Sequence, residues 1–224
     1  MKSNIILSGV GGQGILTLAS IIDTAALYQN LYVKQSEVHG MSQRGGAVQC
    51  HVRISDKQIY SDLIPEGETD LILSAEPMEL LRHIPFLKKN GWIITDSSTF
   101  ENIVNYPDKH ELYKQIKTHW NHIIINAKSC AKDLGNTKIC NMILLGAAAD
   151  QLPIPEDKFL QAIRYFFRDK SEKVIRKNIE AFKQGHKKAK DFIEFALFTL
   201  ASAAKFFSFY YLFKIILLIF GVVP

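Results

Sequence analysis

Four residues into the chain an apolar run, Ile5-Ile6-Leu7, reaches Ser8 and a cluster of glycines, and a second apolar stretch opens at Ile15. An apolar run bounded by glycines predicts a strand covered on both faces, then a tight turn and a helix start. The rhythm repeats along the chain. Residues 31–33 form a second apolar segment, residues 70–74 predict a strand, 78–87 a short helix, and 92–95 another strand that ends at Asp96. Gly91 opens that strand after a Lys88-Lys89-Asn90 turn, and a helical stretch at 108–118 leads to a strand at 122–126. Residues 141–149, small and aliphatic, predict a buried helix closed by Pro153 and Pro155. Two amphipathic helices follow at about 156–167 and 171–190, the first with Ile163, Phe166 and Phe167 on one apolar face. Strands alternating with helices in this way predict a parallel sheet with right-handed crossovers.

Residues 45–54 break the pattern, because they alternate apolar and polar side chains as a half-exposed strand does, and residues 58–60 offer a hairpin partner. This segment is an insertion that reshapes the sheet edge. The predicted fold class is therefore α/β: a Rossmann-like, mostly parallel sheet with an antiparallel hairpin insertion, followed by C-terminal helices. It occupies a domain of residues 1–190, with an apolar tail at 191–224.

Gly9, Gly11 and Gly14 take the three glycine positions of G-x-G-x-x-G, with Gly12 and Gln13 between them. The first permits a tight turn, the second lets a ligand approach the backbone, and the third lets the helix pack close to the strand. The helix start behind them favours a phosphate or carboxylate. The alternative is a turn kept purely for packing. An acid to hold a ribose falls ambiguously, since Glu37 is near the expected place but Gln35 stands where an acid would equally serve.

Between Glu37 and Gly46 lies a polar, glycine-punctuated loop at the carboxyl end of the second strand, where open parallel sheets bind ligands. It carries Glu37, His39, Gly40, Ser42, Gln43, Arg44, Gly45 and Gly46. Arg44 suits a bidentate contact to an anion, His39 exchanges a proton near neutral pH, and Gly45 and Gly46 admit a partner backbone. The competing reading has Glu37 and Arg44 tying the loop together. No serine, histidine and acid spacing announces a nucleophile, and G-x-S-x-G is absent, so no catalytic residue is assigned.

Composition narrows the class. With 224 residues, 47% of them hydrophobic and 22% charged, the chain buries a full core. The net charge of +5 is spread thinly. Its densest part, Lys183, His186, Lys187, Lys188 and Lys190, has no interleaved aromatics and reads as a solvated helix end, so no nucleic-acid partner is expected. Cys50, Cys130 and Cys140 are too few and too widely spaced for a disulfide framework or a zinc site, and an iron-sulfur cluster takes four thiolates, so no metal is assigned. A reducing cytoplasm fits, and the N-terminus runs straight into the first strand without a signal peptide.

Three segments carry a resemblance to a known family: Gly9-Val10-Gly11-Gly12-Gln13-Gly14, the stretch Glu37-Val38-His39-Gly40-Met41-Ser42-Gln43-Arg44-Gly45-Gly46, and Asn141-Met142-Ile143-Leu144-Leu145-Gly146-Ala147. Over roughly residues 2–190 the chain resembles the gamma-type subunit of 2-oxoacid:ferredoxin oxidoreductases. The loop is most similar to the small, beta subunit of indolepyruvate ferredoxin oxidoreductase. The resemblance implies oxidative decarboxylation of a 2-oxoacid, with thiamine diphosphate, iron-sulfur clusters, ferredoxin and coenzyme A. This chain lacks the cysteines for a cluster and a Gly-Asp-Gly start to a thiamine diphosphate motif, so both cofactors would sit in a larger partner subunit. Its own share would be to complete the active-site wall and bind the diphosphate of coenzyme A at Gly9 to Gly14 and the loop. Two alternatives are a free-standing nicotinamide dinucleotide dehydrogenase, in which Glu37 holds the ribose, and an adenylating enzyme of the ubiquitin-activation type.

The tail departs from that family. Residues 206–223 are apolar apart from Lys214 and long enough to span a bilayer. A membrane anchor, an apolar helix packed on a partner or on the body, and a reading-frame accident are its three readings.

Overall fold

The computed structural model describes the backbone of residues 1–39, 45–101, 103 and 105–219, and the side chains of these except 39, 200 and 203–219. By internal contacts the chain divides into two units, Met1–Ala189 and Lys190–Pro224.

The first unit opens as the glycine pattern predicts. β1 (Lys2–Val10) is buried from Ser3 to Val10, and α1 (Ile15–Leu27) follows the turn. Next come β2 (Tyr32–His39), β3 (Ala47–Ser55), β4 (Thr69–Ser74), α2 (Pro77–Leu81), β5 (Leu87–Asp96), α3 (Lys109–Lys117), β6 (His122–Ile125), α4 (Ala127–Asp133), α5 (Cys140–Ala148), α6 (Glu156–Phe166) and α7 (Glu172–Ile219). The described strands form one six-stranded sheet in the order β2-β3-β1-β4-β5-β6. The β1–β4, β4–β5 and β5–β6 pairs are parallel, while β3 is antiparallel to both β1 and β2. On one face Ile6, Ile72 and Ile93 pack with Leu80 of α2, Ile116 of α3 and Ile64, and α1 and α5 lie on the other.

Several expectations need correction. The hairpin is β2–β3, and residues 58–60 are not its partner strand. β3 lies inside the sheet, so the outer strand is β2. The alternation that suggested an edge reflects burial that changes along β3, from exposed Ala47 and half-buried Val48 and Gln49 to buried Cys50, His51 and Val52. The expected Lys88-Lys89-Asn90 turn is a bulge inside β5, where the register jumps from Thr69 opposite Leu87 to Leu71 opposite Trp92. The helix expected over 78–87 stops at Leu81, where His83, Pro85 and a short 3-10 turn end it. Helix α4 was not foreseen, and the helix expected to end at residue 190 continues to Ile219.

The first turns of α7 are locked to α5. A Cβ on Gly146 would overlap the Phe182 carbonyl, and one on Gly185 would overlap the Ile143 carbonyl, so the two helix backbones touch. Phe182 packs on Phe159 at 5.4 Å between ring centres. Beside the crossing, the ring nitrogens of His186 meet Asp150 Oδ1 at 2.7 Å and Glu156 Oε2 at 3.1 Å. The apolar run at 206–223 lies outside the described residues in its side chains and, from residue 220, altogether. Among the described residues no helix is long and apolar enough to cross a membrane.

Candidate anion-binding cleft

At the carboxyl end of β1 the chain turns on Gly12 and Gly14, both with positive φ (99° and 78°), which L side chains rarely adopt. Gly14 opens α1 with no side-chain cap, which leaves the first-turn amides to solvent or to a ligand. Gln13, expected to touch a ligand, is instead a strut. Its Oε1 accepts the Val10 N–H at 2.7 Å and its Nε2 donates to the Ala75 carbonyl at 3.2 Å, bridging the ends of β1 and β4. A Cβ on Gly9 would lie 2.7 Å from that Oε1. Gly11 is also engaged, since its N–H donates to the Gly46 carbonyl at 2.9 Å.

That last bond joins two of the predicted site segments: Gly45 and Gly46 lie beside the glycine turn, with Val10 opposite Ala47 in the register. Glu37 does not join them. It sits on β2, opposite Cys50, which in turn faces Leu7. With strands about 4.8 Å apart, two strand spacings, roughly 10 Å, separate it from β1 at the level of Leu7, and it hydrogen-bonds Gln35. His39 ends β2, its side chain outside the described residues, as are Gly40, Ser42, Gln43 and Arg44.

The strand order explains where a ligand fits. From β1 the chain crosses through α1 toward β2, whereas β4 is followed by helices and strands on the other side, so the order reverses between β1 and β4. Crevices at such reversals, beyond the strands' carboxyl ends, are where open α/β sheets bind ligands. A cleft of about 270 Å³ lies there, lined by Gly12, Gln13, Asp96, Lys128, Lys138 and Asn141 among others. Sequence reasoning missed the last four as site residues, because Asp96 ends β5 while Lys128, Lys138 and Asn141 follow β6, and only the parallel topology brings these ends beside the glycine turn after β1. The Asn141 Oδ1 accepts its neighbour's Met142 N–H at 3.0 Å, and its Nδ2 lies 2.5 Å from where a Cβ on Gly14 would stand. Asp96 Oδ1 accepts from Ser98 and Ala127 N–H, each at 3.1 Å, while burial raises its carboxyl above the usual range.

The wall formed by Ser98, Thr99 and Phe100 is anchored from below. Buried Glu76 accepts the Tyr106 hydroxyl, the Phe100 N–H at 3.4 Å and the Glu79 N–H at 2.8 Å. Burial, and then the bond to Glu76, pushes the Tyr106 hydroxyl upward. Cys140 also lines the cleft, its thiol raised by burial, and Cys50 is pushed up to about 12. Among the described residues no three metal-ligating side chains converge. Two lysines, an amide and an uncapped helix start suit an anion.

The sequence profile of pyruvate ferredoxin/flavodoxin oxidoreductase matches residues 4–188. The chain is 36% identical over 200 residues to indolepyruvate oxidoreductase subunit IorB of Thermococcus kodakarensis, covering 85% of this chain and 97% of that one. The Archaeoglobus fulgidus protein of the same name is 34% identical, covering 84% and 96%. Among solved structures, the gamma subunit of a keto/oxoacid ferredoxin oxidoreductase from Geobacter sulfurreducens superposes with a TM-score of 0.62 at 25% identity, covering 84% of this chain and 99% of that one. The 2-oxoglutarate:ferredoxin oxidoreductase of Magnetococcus marinus, whose structure holds 2-oxoglutarate, coenzyme A and succinyl-CoA, shares the fold with a TM-score of 0.70 at 22% identity. It matches 85% of this chain, which spans 31% of that one. These likenesses give no support to the nicotinamide dehydrogenase alternative, and the interposed β3 explains why its ribose acid fails: Glu37 is displaced from the glycine turn. Fold, turn and a family match over residues 4–188 agree, and the chain belongs to the pyruvate ferredoxin/flavodoxin oxidoreductase family.

Proposed function

We propose that this chain is a subunit of a 2-oxoacid:ferredoxin oxidoreductase that converts an aryl 2-oxoacid such as indolepyruvate to its acyl-CoA. Thiamine diphosphate and the iron-sulfur clusters belong to a larger partner subunit, which passes electrons to ferredoxin. The single observation that supports this most is the similarity to IorB along nearly the whole of that protein. The domain of residues 1–190 carries the function, and residues 191–224 are an appended helical tail. The donor set of this chain agrees with that division, because three cysteines, with the Cys50 thiol buried and raised, do not supply four thiolates.

The role of this chain is to hold the anionic part of coenzyme A. The diphosphate lies against the turn from Gly9 to Gly14 and the start of α1, with Lys128 and Lys138 as counter-charges and Asn141 as a donor. Gly12 lets the phosphate approach the backbone, where a side chain would interfere. Gly45 and Gly46 complete the wall, and Arg44 with His39, Gly40, Ser42 and Gln43 forms the loop that contacts substrate or partner. Gln13 and Glu76 act by fixing the turn and the facing wall. Nothing in this chain forms a bond to substrate, so its contribution is positioning and exclusion of water.

In the purified complex, Lys128→Glu and Lys138→Glu should each raise the KM for coenzyme A about 10-fold or more and leave the KM for the 2-oxoacid within about 2-fold. An unchanged KM for coenzyme A in both variants would remove the cleft from the reading.

A further inference from the structure

The β2–β3 hairpin is backed by α1 on one face, but on the other the connection from β3 to β4 contains no helix. Ile64 of that connection covers the lower half, where its N–H donates to His51 Nδ1 at 3.1 Å. Beside the upper half a groove of about 440 Å³ stays open between Val38, Ala47 and Gln49 on the hairpin and Arg82, His83 and Phe86 beyond α2. It lies on the sheet face opposite to α1, distinct from the glycine cleft, and shares no lining residue with it.

Its walls are largely uncharged. Val38 is 53% exposed. Phe86 stacks edge-on against His51 with ring centres 5.7 Å apart, and burial lowers His83 to about 4, so its imidazole is neutral at pH 7. Glu79 sits at the floor with its side chain only 3% exposed, held by Arg82 Nε at 3.3 Å, and burial raises its carboxyl. The Arg82 side chain remains 55% exposed. An outward cation at the mouth of an apolar groove complements a carboxylate next to an apolar side chain. The groove also borders the outer strand, whose far edge carries no strand among the described residues.

We propose that this groove is the docking surface for another subunit of the oxidoreductase, which inserts an apolar side chain between Val38 and Phe86 and pairs a flanking carboxylate with Arg82. The proposal rests on the subunit reading above. It adds a location and a partner chemistry that the relatives' names do not give.

The test uses the full chain and the complex co-expressed with the large subunit. Val38→Asp should weaken assembly about 100-fold in dissociation constant, as for a truncated interface centre, while the isolated variant keeps the wild-type melting temperature. Arg82→Gln should weaken it about 10-fold and flatten its salt dependence. In the wild-type complex, amide exchange at residues 47–49, 82–84 and 86 should slow. Wild-type affinity in both variants, with unchanged exchange, would overturn the docking surface and leave the subunit reading intact. Failure of the wild-type chain itself to assemble would strike the subunit reading instead. Self-association of the isolated chain that Val38→Asp abolishes would assign the groove to a second copy and overturn the proposal.

Discussion

Two buried titratable groups on opposite faces of the sheet pull stability in opposite directions. Asp23 of α1 has its carboxyl pushed up to about 7, by burial first and by Glu37 second, and its Oδ1 has no hydrogen-bond partner. The folded chain holds that proton more tightly than the unfolded chain, whose carboxyl titrates near 3.8. Its stabilisation is therefore full below about pH 4 and is lost as pH rises to 7. His83 is the reverse: lowered from 6.5 to about 4, it is stable neutral, and its contribution is lost as pH falls from 6.5 toward 4. Asp23→Asn should thus gain on wild type between pH 4 and 7, by up to about 4 kcal/mol at about 1.4 kcal/mol per pH unit. His83→Gln should lack the wild-type loss on acidification. Urea melts from pH 4 to 8 decide this, and parallel profiles for all three proteins would refute it. Gln13 gives a second prediction at this scale. As a strut with two bonds to β1 and β4, its change to Ala should cost about 1–3 kcal/mol in the ligand-free protein. A ligand contact would leave that melting point unmoved.

Elements differ in how plainly the sequence shows them. β1, its turn and α1 are legible because a doubly covered strand needs an unbroken apolar run and the turn needs glycine at Gly12 and Gly14. The place of β3 is not, because alternation reports which side chains are wet, not which strand lies alongside. The bulge at residues 88–90 reads as a turn because both use polar residues and a glycine: at Gly91 a Cβ would come within 2.9 Å of the Thr69 carbonyl. In the cleft, the glycines are legible as a local motif, while Lys128, Lys138 and Asn141 are invisible until the sheet brings separate strand ends together. The α5–α7 crossing is equally hidden, since Gly146 and Gly185 inside helices look merely unfavourable. In an open helix Gly185→Ala would stabilise by about 1 kcal/mol. Here the backbone contact reverses the sign, and a loss of about 1–3 kcal/mol, or about 2–12 °C in Tm, is expected by calorimetry. A melting point at or above wild type would disprove the contact.

At the scale of the whole molecule, the reversal of strand order between β1 and β4 makes one crevice, and the reversed strand β3 sets the outer hairpin apart from it. The sheet therefore offers two separate clefts at one end, for which the proposals above assign an anion to one and a protein to the other. The hydrogen bond from Gly11 to Gly46 spans them, since it fastens the glycine turn to the base of the strand that borders the groove. A metabolite bound as proposed, drawing the turn toward itself, would tug on that strand. If both proposed roles hold, thermodynamic reciprocity requires that whatever factor the neighbour's grip adds to the metabolite's affinity, the metabolite returns to the neighbour, so loading of the cleft would be sensed at the assembly seam.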